Sequence, residues 1–247
     1  MRKIYYIIIS AIILTLFTAC QSTDKKEQKD QPHTKKVKTE TMRTLTWKQF
    51  RDINKTKSAP GDGWELIYYN KEKILISNVT SLIMLRKQGN RFRIDKILDL
   101  KYYNLNHSQS EETTEIFPGN NGEQVLLYNS YDSENQMNAE ENKKLISWTA
   151  NFTTENIVKY RGNDLEKIAK AEQGTFFNCQ YTCKAIKNPR QLKNLKAGSH
   201  LIKTYSTAYE DEQIILSTDV AENSMLSLKI MVYNVPSKKS TILFSFS

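Results

Sequence analysis

The stretch KILISNVTSLIMLRKQGNRFRI at 73–94 decides the fold class. Ile74 and Ile76, then Ile83 and Leu85, then Phe92 and Ile94 fall on alternating positions, with Gly89-Asn90 between the last two runs. Period two marks a strand, and a short turn between two such runs marks a hairpin. The stretch therefore reads as a hairpin-rich antiparallel sheet. Working outward, the same order of strand, loop, strand, turn and strand returns at Val125–Tyr131, Leu145–Phe152 and Asn156–Tyr160, led in by Pro118-Gly119-Asn120-Asn121-Gly122. It returns again where Ile214-Ile215-Leu216-Ser217 echoes Ile74-Leu75-Ile76-Ser77, and where Leu226, Leu228, Ile230 and Val232 alternate ahead of a turn at Val235-Pro236-Ser237.

Starts near Ile74, Val125, Thr175 and Gln213 are spaced 51, 50 and 38 residues. That spacing resembles irregular propeller blades, which run to about 40 to 50 residues. The alternative is a twisted sheet or open barrel with helical insertions. Either way the fold class is mainly β with a few short helices. Thr46-Trp47-Lys48-Gln49 reads as a capping box ahead of Trp47, Phe50 and Ile53 at helical spacing. Asp164–Gln173, closed by Gly174, and Pro189–Ala197, opened by Asn188 and closed by Gly198, read as two further short helices. With only 8 Gly against 20 Asn in 247 residues, the turns are expected to rest on Asn, which tolerates left-handed backbone. Hydrophobic residues at 39% and charged residues at 26% exclude wholesale disorder and a multi-span membrane protein.

The N-terminus carries an address. Arg2 and Lys3 precede an apolar run of 14 residues, Ile4 to Phe17, which ends at Thr18-Ala19-Cys20 before the polar Gln21-Ser22-Thr23-Asp24. Fourteen residues are too few for the roughly 20 a helix needs to span a bilayer, so 1–19 reads as a signal peptide. Leu16-Phe17-Thr18-Ala19-Cys20 resembles the lipobox of bacterial lipoproteins, with Phe17 where that pattern more often has an aliphatic residue. The resemblance implies lipidation of Cys20 and anchoring to the extracytoplasmic face of the membrane, palmitate being one such acyl chain. Two acyl chains suffice for stable anchoring where one is marginal. Residues 20–45 carry only Val37, Met42 and Leu45 as large aliphatics and read as a disordered, lipid-anchored tether. Residues 46–247 then form a single β-rich extracytoplasmic domain.

Charge is partitioned along the chain. The balance of 36 Lys and Arg against 27 Asp and Glu is +9. Residues 102–142 hold eight acids and no Lys or Arg, whereas 184–203 hold six bases and no acid. Arg190, Lys193 and Lys196 on the helix predicted at 189–197, with Lys187 just before it, would form one stripe suited to an anionic surface. For an exported protein that means anionic lipid or wall polymer, not nucleic acid. Cys179 and Cys183 are expected to be bridged outside the cytoplasm. In one extended strand their Cα atoms would lie about 13 Å apart, beyond the limit of about 7 Å, so Gln180-Tyr181-Thr182 must turn. His33, His107 and His200 show no ligand spacing, so no metal is expected. Nor is a cofactor.

No nucleophile elbow, zinc-protease or phosphate-loop motif occurs in the sequence. Glu111, Glu115, Asp132, Glu140, Asp211 and Glu212 are the acids from which a glycosidase pair would have to come. Each of the doublets Tyr68-Tyr69 and Tyr102-Tyr103 should leave one ring near solvent. The leading expectation is a non-enzymatic, membrane-anchored binding module with an unassigned ligand, which includes the case of a peptide or protein. One alternative comes from build: a short basic lipoprotein with a β-rich domain is similar to the immunity lipoproteins that intercept membrane-active antimicrobial peptides. The other is a cell-wall-modifying hydrolase.

Overall fold

In the computed structural model the described residues are 34–54, 64–78, 80–105, 112–131, 146–162, 164–176, 192, 199–219 and 227–246, all inside one compact unit, Pro32–Ser247. Along the chain, strand β1 (Lys35–Thr41) and helix α1 (Trp47–Asn54) come first. Strands β2 (Glu65–Tyr69), β3 (Lys73–Ser77), β4 (Ser81–Gln88) and β5 (Arg91–Asp99) then form the first sheet, in that order. Strands β6 (Glu112–Pro118), β7 (Gln124–Tyr131), β8 (Ile146–Asn151) and β9 (Asn156–Arg161) form the second, with β1 added outside β9. Helix α2 (Leu165–Ala171) follows, and β10 (Ser199–Ser206), β11 (Glu212–Asp219), β12 (Leu228–Asn234) and β13 (Lys239–Phe246) form the third. Every pairing is antiparallel. The fold is mainly β, as expected, and no sheet closes into a barrel among the described residues.

Three of the expected repeats lie among the described residues. Of the one expected to start near Thr175, Phe176 follows α2 and bridges antiparallel to Gly119, and 177–191 lie outside the described residues. What joins the three meanders is the first sheet, which is covered on both faces. Leu75, Leu82, Met84 and Leu98 pack with Val125, Leu127, Trp148 and Ile157 of the second sheet. Ile74, Ile76, Ile83 and Leu85 pack with Ile214, Leu216, Leu228 and Ile230 of the third. Successive strand residues point to opposite faces, so the unbroken apolar runs 74–76 and 82–85 are what a doubly covered sheet requires.

The domain boundary moves. Residues 35–41, assigned to the tether, form β1 in register with β9 from Lys35↔Arg161 to Thr41↔Asn156, and Met42 and Leu45 are buried. Composition reports only whether a segment can bury its own side chains. An edge strand need not, because its stability comes from the backbone ladder with a neighbour whose Ile157, Val158 and Tyr160 are already buried.

The local signals hold with two changes. At α1 the capping box forms: the Gln49 N–H donates to Thr46 Oγ1 (3.3 Å) and the Thr46 N–H to Gln49 Oε1 (2.9 Å). At α2 Asp164 caps the Lys167 N–H at 3.0 Å, but the left-handed residue at its end is Gln173 (φ 50°), not Gly174. Asn shapes the turns by a different route from the expected one. Of the described non-glycine residues with positive φ only Asn104 is Asn, the others being Glu155, Gln173 and Lys238. Instead the side chains of Asn70, Asn78, Asn121, Asn151 and Asn234 accept backbone N–H bonds from residues two or three positions on. These are Asx turns, a second way for Asn to supply turn geometry. One ring of each tyrosine doublet is buried, Tyr69 at 7% and Tyr103 at 6% exposure, while Tyr102 stands out at 58%. The second doublet sits in a short 3₁₀ turn, Lys101–Tyr103, not in a strand.

Two hairpin glycines separate backbone strain from crowding. Gly89 (φ 63°) has open space where a Cβ would go, whereas at Gly122 (φ 68°) a Cβ would lie 2.5 Å from the Tyr68 ring. Gly89→Ala should cost about 1 kcal/mol, the penalty for left-handed alanine. Gly122→Ala should cost at least about 2 kcal/mol in chemical denaturation, with part recovered by adding Tyr68→Ala. Equal costs at the two positions would show that the Tyr68 contact is not made.

Candidate functional site

The first sheet ends at β5 and the third at β13, and these two outer strands border an open groove of about 490 Å³. Its lining is Trp47 with 91–94 of β5 and 242–246 of β13. Sequence places each part. The capping box starts α1 at Trp47, so its indole meets Phe246 edge-on at 4.8 Å and stacks on Phe50 at 5.1 Å. On β13, Phe244 and Phe246 alternate and stand 5.6 Å apart, facing the side of β5 that carries Phe92 and Ile94. All belong to the apolar cluster between the first and third sheets. Phe92 is buried, but Trp47, Ile94, Leu243, Phe244 and Phe246 are only half-buried. The core between the two sheets thus opens to solvent at this end.

The rim is cationic. Arg91 and Arg93 are exposed, and among the described residues neither makes an ion pair or a side-chain hydrogen bond. Below them the C-terminal half of the β5 edge is occupied by the chain itself: the Leu45 N–H donates to Ile97 O at 2.8 Å and the Asp99 N–H to Arg43 O at 3.1 Å. The N-terminal half, Arg91–Asp95, has β4 on one side and the groove on the other.

The other charged groups of the first sheet are committed to structure. Arg86 donates to both Glu123 carboxylate oxygens at 2.7 Å and to Asp95 at 2.7 Å; Lys73 Nζ also reaches Glu123, and Thr153 Oγ1 donates to it at 2.9 Å. Burial pushes the Glu123 carboxyl up, but the bonds from Arg86, Lys73 and Thr153 outweigh it and hold the group down at about 2. This clamp ties the first sheet to the β6–β7 turn of the second. Lys203 ties the first sheet to the third through Glu65 at 2.7 Å.

A smaller pocket of about 170 Å³ lies over the outer face of the second sheet, lined by Thr39, Gln124, Thr149, Asn151, Asn156 and Glu172 among others. Thr149 Oγ1 is buried there without a hydrogen-bond partner among the described residues. At its margin the Tyr160 hydroxyl donates to Glu172, and burial together with that carboxylate pushes the phenol well above its ordinary range.

The residues singled out from sequence lie elsewhere. Cys20, Cys179, Cys183, Lys187, Arg190, Lys193 and Lys196 all fall outside the described residues, as does the predicted helix Pro189–Ala197 apart from Leu192. Of the candidate glycosidase acids, Glu115 is on β6 of the second sheet, while Asp211 and Glu212 are at the β10–β11 hairpin of the third. These three are not brought together. Among the described residues no cluster of three His, Cys, Asp or Glu could hold a metal, and no helix is long and apolar enough to cross a membrane. The groove was missed because its residues read as ordinary strand. The available signal was Arg91 and Arg93 flanking Phe92, which puts two charges on one face of an edge strand and an aromatic ring on the other. Comparison with family models, with curated proteins and with solved structures finds no match.

Proposed function

We propose that this chain is a lipid-anchored extracytoplasmic binding module, acting by binding and not by catalysis, with the groove between β5 and β13 as its working surface. Anchoring rests on the lipobox-like Leu16–Cys20. The observation that carries the binding reading is the groove: half-buried aromatic rings from α1 and β13 lie beside Arg91 and Arg93, two exposed arginines without an ion-pair partner among the described residues, on an outer strand. Contiguous exposed apolar surface rimmed by polar groups is characteristic of a contact site, and an apolar pocket with a few placed charges is the usual form of a ligand site. A second apolar layer elsewhere in the molecule is closed over, as at Leu126, Val158 and Tyr160 beneath Ile168 of α2, so openness here is a local property.

Two measurements test the reading. Cys20→Ser should move the protein from the membrane fraction to the soluble fraction or leave an unprocessed precursor, and palmitate labelling that persists in the variant would contradict the anchor. For the groove, the probe is anilinonaphthalene sulfonate, an apolar ring system with one anionic group, titrated into soluble chain from Gln21 onward. Wild type should bind it, and Arg91→Glu with Arg93→Glu should weaken binding about fivefold, a modest effect because exposed charge contacts are worth under about 1 kcal/mol each. Identical binding by wild type and double variant, at equal melting temperatures, would remove the groove from consideration.

A further inference from the structure

We propose that the groove takes an extended acidic peptide, which adds as a strand to the open half of β5 with apolar and acidic residues alternating. This rests on the groove being the binding surface and names its partner. A free strand edge presents N–H and C=O groups that pair with any chain offering the complementary row. The protein already uses this edge in that way: the segment around Thr44 bridges antiparallel to Leu98, with bonds from Leu45 to Ile97 O and from Asp99 to Arg43 O. That segment leaves the ladder at α1, and the edge from Arg91 to Asp95 continues into the groove with no strand beside it among the described residues. Five residues of strand cover about 16 Å, so the partner needs about five to seven residues in extended form.

The side-chain pattern of the partner follows from β5. Phe92 and Ile94 point toward the third sheet, into the groove with Phe244 and Phe246; Arg91 and Arg93, on the intervening positions, leave the strand on its other face and border the groove from there. A strand laid alongside shares these two faces. Its residues beside Phe92 and Ile94 enter an apolar space, and those beside Arg91 and Arg93 meet two guanidinium groups that have no ion-pair partner among the described residues. Opposite charges directly across a strand pair are favourable and like charges are not, so carboxylates are selected on that face. An anionic lipid would satisfy the arginines and the aromatic floor but would leave the backbone edge unpaired, which is why the peptide is preferred.

The test uses soluble chain from Gln21 onward, which keeps the whole of Pro32–Ser247, and a fluorescein-labelled heptapeptide of alternating valine and glutamate. It should bind at least tenfold more tightly than a peptide of the same composition in block order, or one with lysine in place of glutamate. Arg91→Glu with Arg93→Glu should weaken it at least tenfold at low salt. Methylating alternate backbone nitrogens gives the most specific readout: one of the two methylation patterns should abolish binding and the other leave it intact, because a strand edge uses only every second N–H. Equal binding by block and alternating peptides, or equal tolerance of both methylation patterns, overturns strand addition. Arginine-dependent binding to phosphatidylglycerol vesicles with no peptide binding overturns it in favour of a lipid surface. If the sulfonate probe still binds while every peptide fails, only the peptide is lost; if neither binds, the groove reading falls with it.

Discussion

Glu123→Gln is expected to lower the unfolding free energy by about 2 to 3 kcal/mol at pH 7 and to flatten the acid limb of the stability profile. Glu123 is 8% exposed and accepts bonds from Arg86, Lys73 and Thr153. Breaking a buried ion pair by removing one partner costs about 3 to 5 kcal/mol, because the other charge is left uncompensated. The lower figure applies here because Arg86 retains Asp95 and its side chain is 31% exposed. The sign of the pH effect follows from the carboxyl being held near 2 in the folded chain, against 4.5 in the absence of these contacts. The folded state binds this proton less readily than the unfolded state. The contribution is therefore complete above about pH 4.5 and is lost as pH falls toward 2. At 1.36 kcal/mol per unit it amounts to roughly 3 kcal/mol. Urea midpoints at pH 7 and pH 3 supply the measurement, read as the difference between wild type and variant so that other carboxylates cancel. Parallel profiles for the two proteins would mean that Glu123 is solvated and the clamp does not exist.

The same residue shows where sequence reading stops. Glu123 belongs to an acidic segment, and a run of acids without bases reads as solvated surface. Its partners Lys73 and Arg86 come from a different repeat, 50 and 37 residues away in sequence, and only the stacking of sheets brings them together. The strands themselves were legible, because period two is written locally in Ile74 and Ile76 or Phe92 and Ile94. So were the hairpins at Gly89 and at Pro118–Gly122, where turn residues interrupt the pattern. The layering was present in the sequence as well, in a form that alternation alone overlooks. Leu75, Leu82 and Met84 fill the positions between the alternating residues, and a strand that is apolar at every position has no face to give to water. Strand β1 was illegible for the opposite reason: its exposed Lys35, Lys36 and Lys38 carry no burial signal, and its place is set by the ladder of β9.

The candidate groove was legible only in part. Alternation of Arg and Phe on β5 is visible in sequence, and so is the run Phe244-Ser245-Phe246. That these two strands are both sheet edges is a property of sheet order, which local pattern does not contain. The basic stripe from Lys187 to Lys196, by contrast, is a pattern that sequence shows plainly, and it lies outside the described residues.

Leu75→Ala and Ile76→Ala should each destabilise the fold by about 3 kcal/mol, although the two residues are adjacent and point in opposite directions. Both are fully buried. Leu75 packs in the cluster shared with the second sheet and Ile76 in the cluster shared with the third. Removing three methyl or methylene carbons from a closed core costs about 2 to 5 kcal/mol, through lost transfer energy and the cavity left behind. On a two-layer sandwich one of the pair would face solvent, and its truncation would cost under about 0.5 kcal/mol. The two single variants therefore count the covered faces of the first sheet by chemical denaturation alone. Met84 supplies the internal control. It lies directly across the ladder from Leu75 and in the same cluster, so the two truncations enlarge one cavity and their costs should depart from additivity by about 0.5 to 3 kcal/mol. Ile76 shares no face with Leu75, and that pair should add to within about 0.5 kcal/mol. A cost under about 1 kcal/mol at either Leu75 or Ile76 would uncover one face and dismantle the three-layer stack, and with it the β5–β13 groove, which exists only where the first and third sheets lie face to face.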